Sequence, residues 1–306
     1  MRKYLKRLVL FVLPLVALLA ALEYGLRSIP NNYAYARDYI LEHGDSIEVL
    51  ILGNSHAFNG IDPFGFTAPA FNASAVAQDH KRDLALFERY IDELPALKHV
   101  IVPVSYFTIG AMIEDGPEPW RIRNYVIYHD LPEQASMPEH WLELSRNRKL
   151  ESILMIPRYL LHDSTRIQGR SRGGSPGKHK AGLDFSSAGI ETAKRHTIAS
   201  TERYRENRGY LERLVQLAGE RGIHVHLFNP PGHQAYREAM NAEQLAIAKA
   251  CGRELATAHK HVTYHDLLDD ERFQEADFSD SDHLQSSGTL KLTRILSADL
   301  AEHEKR

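Results

Sequence analysis

Apolar residues along this chain fall into short continuous runs separated by amphipathic stretches. Residues 48–52, 99–104 and 223–228 are mostly apolar, and glycine, proline or asparagine stands at or near their ends. Runs of this length and composition predict strands buried on both faces of a parallel sheet. A further run over residues 261–264 predicts the last strand.

Between these runs, residues 84–94, 210–217 and 292–300 carry apolar side chains at the spacing of one helical face. Strands that alternate with helices indicate an α/β fold in three layers, with a central parallel sheet. Residues 141–161 have a helical pattern as well. Residues 168–182 are rich in glycine, serine and basic residues, which predicts a mobile surface loop: a lid, a contact for an anionic polymer, or a plain solvated loop.

The N-terminus has the pattern of a membrane-directed segment. Four basic residues precede an apolar run over residues 8–22, slightly shorter than the roughly 20 residues of a spanning helix unless it continues past Glu23. Leu19 stands where the best cleavage site needs a small residue, so an uncleaved anchor is favoured over a secretory signal peptide. The basic residues hold the N-terminus in the cytoplasm, and the rest of the chain is expected outside it.

The expected organisation is a signal anchor over residues 1–26, a polar juxtamembrane connector over residues 27–45 and an extracytoplasmic domain over residues 46–306. Lys and Arg number 37 against 40 Asp and Glu. Without a basic surplus, a nucleic-acid partner is not expected. The single cysteine, Cys251, excludes an internal disulfide framework and a multi-cysteine metal site.

A serine lies directly after the first predicted strand, within residues 52–56 (Leu-Gly-Asn-Ser-His). Ligands bind at the carboxyl ends of strands in a parallel α/β sheet, so Ser55 would face a crevice beside the N–H groups of a helix N-terminus. Gly53 permits the tight turn that this position requires. A helix N-cap is the structural alternative for Ser55.

A second reactive pair, Asp280 and His283, precedes the last predicted helix. On a tight turn, the carboxylate of Asp280 can reach one imidazole nitrogen while the other faces a nucleophile. A serine hydroxyl needs such a base, with its imidazole held in the right tautomer. Asp282 is a rival for the orienting role, although side chains of sequence neighbours usually point apart.

Together these two segments resemble the first and last motif blocks of the SGNH (GDSL-like) hydrolase superfamily, which implies a flavodoxin-like fold. Residues 71–79 resemble its second block, whose oxyanion-hole glycine falls on Ala77. The resemblance implies that Ser55 and Ala77 donate backbone N–H groups to the oxyanion. The third block normally carries an asparagine, but residues 102–107 contain none, and the hydroxyl of Ser105 or Tyr106 could replace it.

The N-terminal anchor, these blocks and residues 229–233 (Asn-Pro-Pro-Gly-His) resemble a narrower group of membrane-bound SGNH proteins. Examples are the D-alanyl transfer protein of teichoic acids and the alginate O-acetyltransferases. The resemblance implies ester hydrolysis or O-acyl transfer, of acetyl type, on a cell-surface polysaccharide through an acyl-serine, without a cofactor. The expected location is the plasma membrane, single-pass, with a periplasmic domain.

Two other functions stay open. A catalytically inactive, anchored partner of a multi-spanning acyltransferase would account for the missing asparagine, whereas a sugar-binding module would leave Asp280 and His283 without a purpose. His224 and His226 alternate on a strand, but no acidic residue lies close by in sequence, so a metal site is not expected. The candidates for substrate contacts are Asn54, His56, Asn229 and His233.

Overall fold

The computed structural model describes residues 1–145, 149–177 and 182–303. The chain forms two compact units. One comprises residues 1–37 and 119–167, and the other comprises residues 38–118 and the chain from residue 168 onward. The α-helices of the described chain are α1 (Arg2–Arg27), α2 (Asn32–His43), α3 (Ser55–Gly60), α4 (His80–Tyr90), α5 (Ile122–Tyr128), α6 (Lys149–His162), α7 (Phe185–His196), α8 (Thr201–Glu220), α9 (Gln234–Glu238), α10 (Ala242–Ala258) and α11 (Ser286–His303).

The larger unit contains the predicted parallel sheet, which has five strands in the described chain, ordered β2-β1-β3-β4-β5. The order is that of flavodoxin-like folds, and the direction of winding reverses between β1 and β3, where such sheets bind ligands. All four predicted strands are present with slightly different ends, and β2 is an additional strand. The strands are β1 (Val49–Ile51), β2 (Ala70–Asn72), β3 (His99–Pro103), β4 (His224–Asn229) and β5 (Val262–Asp266).

Helices cover both faces of this sheet. Successive side chains of a strand point to opposite faces, so neighbouring residues of one strand show what packs on each side. In β5, Thr263 donates a hydrogen bond to Asp299 of α11, whereas Tyr264 packs closely against Gly252 of α10. The predicted three-layer α/β arrangement is therefore present. The core on the α11 side includes Val49, Ile51, Ala57, Ile101, Phe228, Leu292 and Leu296.

Within the predicted surface loop over residues 168–182, residues 172–177 contact the rest of the larger unit through backbone hydrogen bonds. The N–H of Asn72 donates to Arg172 O at 2.8 Å, and the N–H of Ser175 donates to Phe58 O at 2.7 Å. Gly174 is buried there. These hydrogen bonds tie the segment to β2 and α3, which a composition rich in glycine and serine does not indicate. Residues 178–181 of the predicted loop lie outside the described residues.

The smaller unit contains α1, α5 and α6. By length and composition α1 could cross a membrane, a property that signal sequences share, and its most apolar stretch has no buried residue. The helix predicted over residues 141–161 begins later, because short 3-10 helices occupy Pro138–Trp141 and Glu143–Ser145 before α6. The segment predicted as a connector, residues 27–45, includes all of α2.

Candidate active site

Ser55 is the first residue of α3, at the carboxyl end of β1. Gly53 makes the turn possible, because its φ is +113° and an added Cβ would lie 2.3 Å from Pro103 Cδ. Asn54 caps the helix by accepting the N–H of His56 at 2.9 Å. The cap is thus Asn54 rather than Ser55, and the Ser55 side chain is available for another partner.

The loop before α11 is held in a tight turn by its own polar groups. Asp280 Oδ1 accepts the backbone N–H groups of His283 at 3.0 Å and Asp282 at 3.3 Å. The N–H of Ser279 donates to His283 O at 2.8 Å, which closes the turn on itself. This local bonding fixes the backbone from which the His283 side chain projects.

Ser55, His283 and Asp280 meet although the serine lies 228 positions before the histidine. His283 Nε2 lies 2.8 Å from Ser55 Oγ, and His283 Nδ1 lies 2.8 Å from Asp280 Oδ1. Both distances are those of good hydrogen bonds. The imidazole is therefore positioned to take the serine proton at Nε2 while its Nδ1–H donates to a carboxylate.

Asp282 also faces His283, contrary to the expectation that its side chain points away. Its Oδ1 lies 3.3 Å from His283 Nδ1, and its Oδ2 lies 3.2 Å from His56 Nε2. The side chains of His56 and Asp282 are each only 4% exposed, so water screens this contact poorly. Asp282 thus bridges two imidazoles.

These carboxylates control the charge of His283. Burial alone would lower the pKa of His283, but Asp282 and Asp280 beside it raise that pKa to about 10. Burial alone would raise the pKa of Asp282, but His283 and His56 hold it well below its usual range. The resting site therefore favours a protonated His283 beside an ionised Asp282.

The predicted oxyanion residue Ala77 lines the same cavity as Ser55 and His283. Its φ is +63°, the left-handed region that favours glycine, which agrees with a glycine at this position in the family pattern. Two backbone hydrogen bonds align this loop with the one after β1, from Ala73 N–H to Ile51 O at 2.8 Å and from Ala75 N–H to Gly53 O at 3.0 Å.

Ser105 and Tyr106 do not line this cavity. The N–H of Ser105 donates to Thr108 Oγ1 at 2.8 Å, and the Tyr106 hydroxyl lies 2.6 Å from Thr197 Oγ1 and accepts the N–H of Asn241. Both residues are buried. The structure therefore does not bring either predicted hydroxyl to the side of Ser55 where an oxyanion would form.

Of the predicted substrate contacts, only His56 reaches the cavity. Asn54 is buried at the start of α3. Asn229 is buried at the end of β4, where its Nδ2 donates to Asp266 Oδ1 at 2.9 Å. His233 caps α9 by accepting the N–H of Ala235, and its ring stacks on Phe185.

The cavity beside Ser55 has a volume of about 850 Å³. Several of its residues were missed by sequence reasoning. Asn59 follows Ser55 by one helical turn, a spacing that could have revealed it. Arg195 and His196 lie in the last turn of α7, a helix that was not predicted. Apolar residues on its wall include Val76, Phe107, Met112, Ile113 and Ile198.

Within the described residues, one group of potential metal ligands has its ligand atoms within 4.8 Å of one another: His56, Asp282 and His283. The same atoms take part in the hydrogen bonds that end at Ser55. His224 and His226, considered above for a metal, lie at the opposite end of β4. There His226 Nδ1 lies 2.6 Å from Asp299 Oδ2, an acidic partner that sequence proximity did not indicate.

No family model matches this chain. No curated protein matches it either. Several solved structures are similar to it at low identity. A protein from Streptococcus pneumoniae, provisionally described as a platelet activating factor, has 13% identity and a TM-score of 0.45, with 95% of this chain and 99% of that chain covered.

A provisionally described acylhydrolase from Bacteroides fragilis has 13% identity and a TM-score of 0.42, with 86% of this chain and 95% of that chain covered. A GDSL-like lipase from Bacteroides thetaiotaomicron has 10% identity and a TM-score of 0.43, with 89% of this chain and 99% of that chain covered. Likenesses at these values say nothing about activity, and the fold assignment rests on the sheet itself.

Proposed function

We propose that this protein is a membrane-anchored serine enzyme that cleaves or transfers acyl esters through an acyl group on Ser55. The observation that carries the proposal is the continuous hydrogen-bonded series from Ser55 Oγ to His283 Nε2 and from His283 Nδ1 to Asp280 Oδ1, each contact 2.8 Å long. A serine hydroxyl is a weak nucleophile until such a base removes its proton.

In the first half of the reaction, neutral His283 takes the Ser55 proton while Oγ attacks the ester carbonyl carbon. The backbone N–H groups of Ser55 and Ala77 stabilise the oxyanion. The tetrahedral intermediate then expels the alcohol, which takes the proton from His283, and an acyl-serine is left. In the second half, His283 takes a proton from water or an acceptor hydroxyl, whose oxygen attacks the acyl-serine carbonyl. The new tetrahedral intermediate then breaks its bond to Ser55 Oγ, and His283 returns the proton to that oxygen.

Water as acceptor gives an esterase, and a sugar hydroxyl gives an O-acyltransferase. We propose a cell-surface polysaccharide as the acylated polymer, because the sequence resembles membrane-bound SGNH proteins with that class of substrate. In this proposal α1 is a single-pass anchor in the plasma membrane, and the larger unit lies outside the cytoplasm. A cavity of about 850 Å³ is much larger than an acetyl group requires, so its size does not restrict the acyl group to acetyl.

A second candidate function is a catalytically inactive partner of a membrane-embedded acyltransferase. It is favoured by one observation, the absence of Ser105 and Tyr106 from the cavity wall. The loss of one oxyanion donor lowers the rate by about 10²–10³, which slows a serine enzyme without abolishing it. The arrangement of Ser55, His283 and Asp280 therefore makes the enzyme the stronger proposal.

The test is covalent labelling of the full-length protein in detergent with a fluorophosphonate probe, which reacts with activated serines. Ser55→Ala and His283→Ala should both abolish labelling. Ser46→Ala is the matched control, because Ser46 is exposed and lies before β1. Labelling of the wild type and of Ser46→Ala, without labelling of the other two variants, supports a serine enzyme that acts through Ser55. Absence of labelling from all folded variants favours the inactive partner.

Hydrolysis and transfer are separated by the fate of the acyl group. Wild-type protein is incubated with an activated acyl ester, with and without a polysaccharide acceptor, and free acid and acylated polymer are quantified by mass spectrometry. Acylated polymer that disappears in the Ser55→Ala variant indicates transfer. Free acid alone, unaffected by acceptor concentration, indicates an esterase.

A further inference from the structure

The helix α6 of the smaller unit carries two different apolar faces. Leu150, Leu154, Pro157 and Leu161 recur at the spacing of one helical stripe and are all exposed. The exposed fraction is 70% for Leu150, 43% for Leu154 and 74% for Leu161. A helical stripe of large apolar residues open to water is unusual unless another apolar medium covers it.

The adjacent face of α6 packs against α1. A Cβ added at Gly25 would lie 3.0 Å from Ile156 Cδ1, so the two helices approach closely at that point. A third side of α6 is polar and exposed, and it carries Arg158 and His162. The apolar stripe thus lies between the contact with α1 and a polar side, as in helices that lie in a membrane interface.

Hydrogen bonds at the end of α1 hold the short segment that precedes α6. Glu23 accepts the backbone N–H groups of Glu143 and Leu144, both at 2.9 Å. Arg27 donates to Trp141 O at 2.6 Å. These residues follow the apolar run of α1 directly, and at about 1.5 Å per residue they stand within one helical turn or so of its end. In a bilayer that α1 crosses, this position corresponds to the depth of the lipid headgroups.

Other exposed side chains near the end of α1 are of types that favour the membrane–water interface. Trp141 and Leu142 are 49% and 46% exposed beside the end of α1, and Tyr24 is 75% exposed on α1 itself. Tryptophan and tyrosine are enriched at membrane–water interfaces because their rings are apolar with one polar atom. Exposed apolar side chains thus occur on α1, on α6 and in the segment between them that contacts the end of α1.

We infer that the exposed stripe of α6, comprising Leu150, Leu154, Pro157 and Leu161, lies in the surface of the lipid bilayer that α1 enters. The inference rests on the membrane anchoring of α1 in the proposed function and extends it. The smaller unit then has a fixed orientation on the membrane, since α1 crosses the bilayer while α6 lies along its surface.

The test uses full-length protein in vesicles of phosphatidylcholine and phosphatidylglycerol, with one cysteine at a time labelled by a bimane fluorophore. The native Cys251 is buried, so unmodified protein gives the background. Leu154→Cys and Leu161→Cys report on the stripe, and Leu15→Cys reports on the anchor. Arg158→Cys is the matched control on the polar side of the same helix.

Lipids that carry a doxyl quencher near the headgroup should quench Leu154→Cys and Leu161→Cys at least about threefold more than Arg158→Cys. Quenching of Leu15→Cys by deeper doxyl groups, with no quenching of the stripe, overturns this inference and keeps the anchor. Absence of quenching at all three positions overturns the anchor itself. Another outcome is a stripe that is unquenched by doxyl lipids in vesicles and yet protected from iodide quenching in native membranes. That result would place the stripe against a protein partner and would likewise contradict a lipid contact.

Discussion

Asp282 Oδ2 lies 3.2 Å from His56 Nε2, although 226 positions separate the two residues. The other oxygen of the same carboxylate lies 3.3 Å from His283 Nδ1. Asp282 therefore joins the residue after the proposed nucleophile to the proposed base. Two carboxylates, from Asp280 and Asp282, compete for the same imidazole N–H, and their roles can be separated by mutation.

We expect Asp280→Asn to lower kcat by about 10²–10⁴, because an amide does not hold the imidazole in the required tautomer as a carboxylate does. Asp282→Asn, measured at the optimal pH of that variant, should lower kcat less. Asp282 lies 3.3 Å from His283 Nδ1, whereas Asp280 lies 2.8 Å from the same atom. Steady-state hydrolysis of an activated ester measures both. A greater loss for Asp282→Asn would assign the orienting role to Asp282.

The activity of the wild type should rise with pH through the alkaline range. Only neutral His283 can accept the serine proton, and the raised pKa of about 10 keeps this group protonated at lower pH. Removing the Asp282 charge lowers that pKa, by about 1–3 units for a neighbour at this distance, so Asp282→Asn should move the acid limb of the profile to lower pH. A profile of kcat/KM against pH measures it, and an unshifted limb would contradict the role given to Asp282.

Ala77→Gly should stabilise the fold slightly. A non-glycine residue in the left-handed region costs roughly 1–2 kcal/mol, and the greater freedom of glycine in the unfolded chain costs about 0.5–1 kcal/mol. The difference between these two ranges is about 0–1.5 kcal/mol in favour of glycine, so we expect a small gain in stability and a higher Tm. Ala75→Gly in the same loop is the control and should lower the Tm. Equal changes in both variants would show that the φ of Ala77 is not strained.

Stability should fall as pH drops from about 6.5 towards 3. Burial lowers the pKa of His196 and of His224 to about 3 in the folded protein. The same groups take up protons near pH 6.5 once unfolded, so acid favours the unfolded chain in that interval. Stability from these groups is complete above pH 6.5 and is lost as the pH approaches 3.

Urea unfolding of the full-length protein in detergent, followed by circular dichroism at several pH values, measures this effect. His224→Gln should flatten the dependence between pH 6.5 and 3, while the exposed His162→Gln leaves it as in the wild type. An unchanged slope in His224→Gln would mean that His224 ionises as freely in the folded protein as in the unfolded chain.

Gly53→Ala should destabilise the protein strongly. The new Cβ would lie 2.3 Å from Pro103 Cδ, in a residue whose φ of +113° suits only glycine. We expect a loss of more than about 2 kcal/mol, because both strain and overlap oppose the substitution. Gly209→Ala is the matched control, because nothing lies within 4 Å of an added Cβ at that helical position. A similar Tm for both variants would refute the close contact with Pro103.

Some features of the site depend on short stretches of chain and could be predicted. The turn from β1 into α3 follows from Gly53 after a short apolar run. The contact of Asp280 with His283 follows from their spacing of three residues. Covalent connection limits how far such neighbours can separate, so local pattern determines their geometry. The length and apolar character of α1 are likewise properties of the sequence alone.

Other features depend on packing between distant segments. No local pattern indicated the contact of Asp282 with His56, the position of Arg195 on the cavity wall or the pairing of Ser105 with Thr108. The strand β2 was missed because Pro69 precedes its two apolar residues and Asn72 ends it, whereas the equally short β1 lies in a continuous apolar run over residues 49–52.

The sequence by itself therefore determined four of the five strands in the described chain and their alternation with helices, the apolar N-terminal segment, and the residues that form the series ending at Ser55. The tertiary structure alone decided which second carboxylate reaches His283, which side chains line the cavity, and which apolar face of α6 is left open. The physical reason is that the periodicity of strands and helices is a local property of the chain, whereas a side chain's neighbours come from segments that lie far apart in sequence, as Ser55 and His283 do across 228 positions.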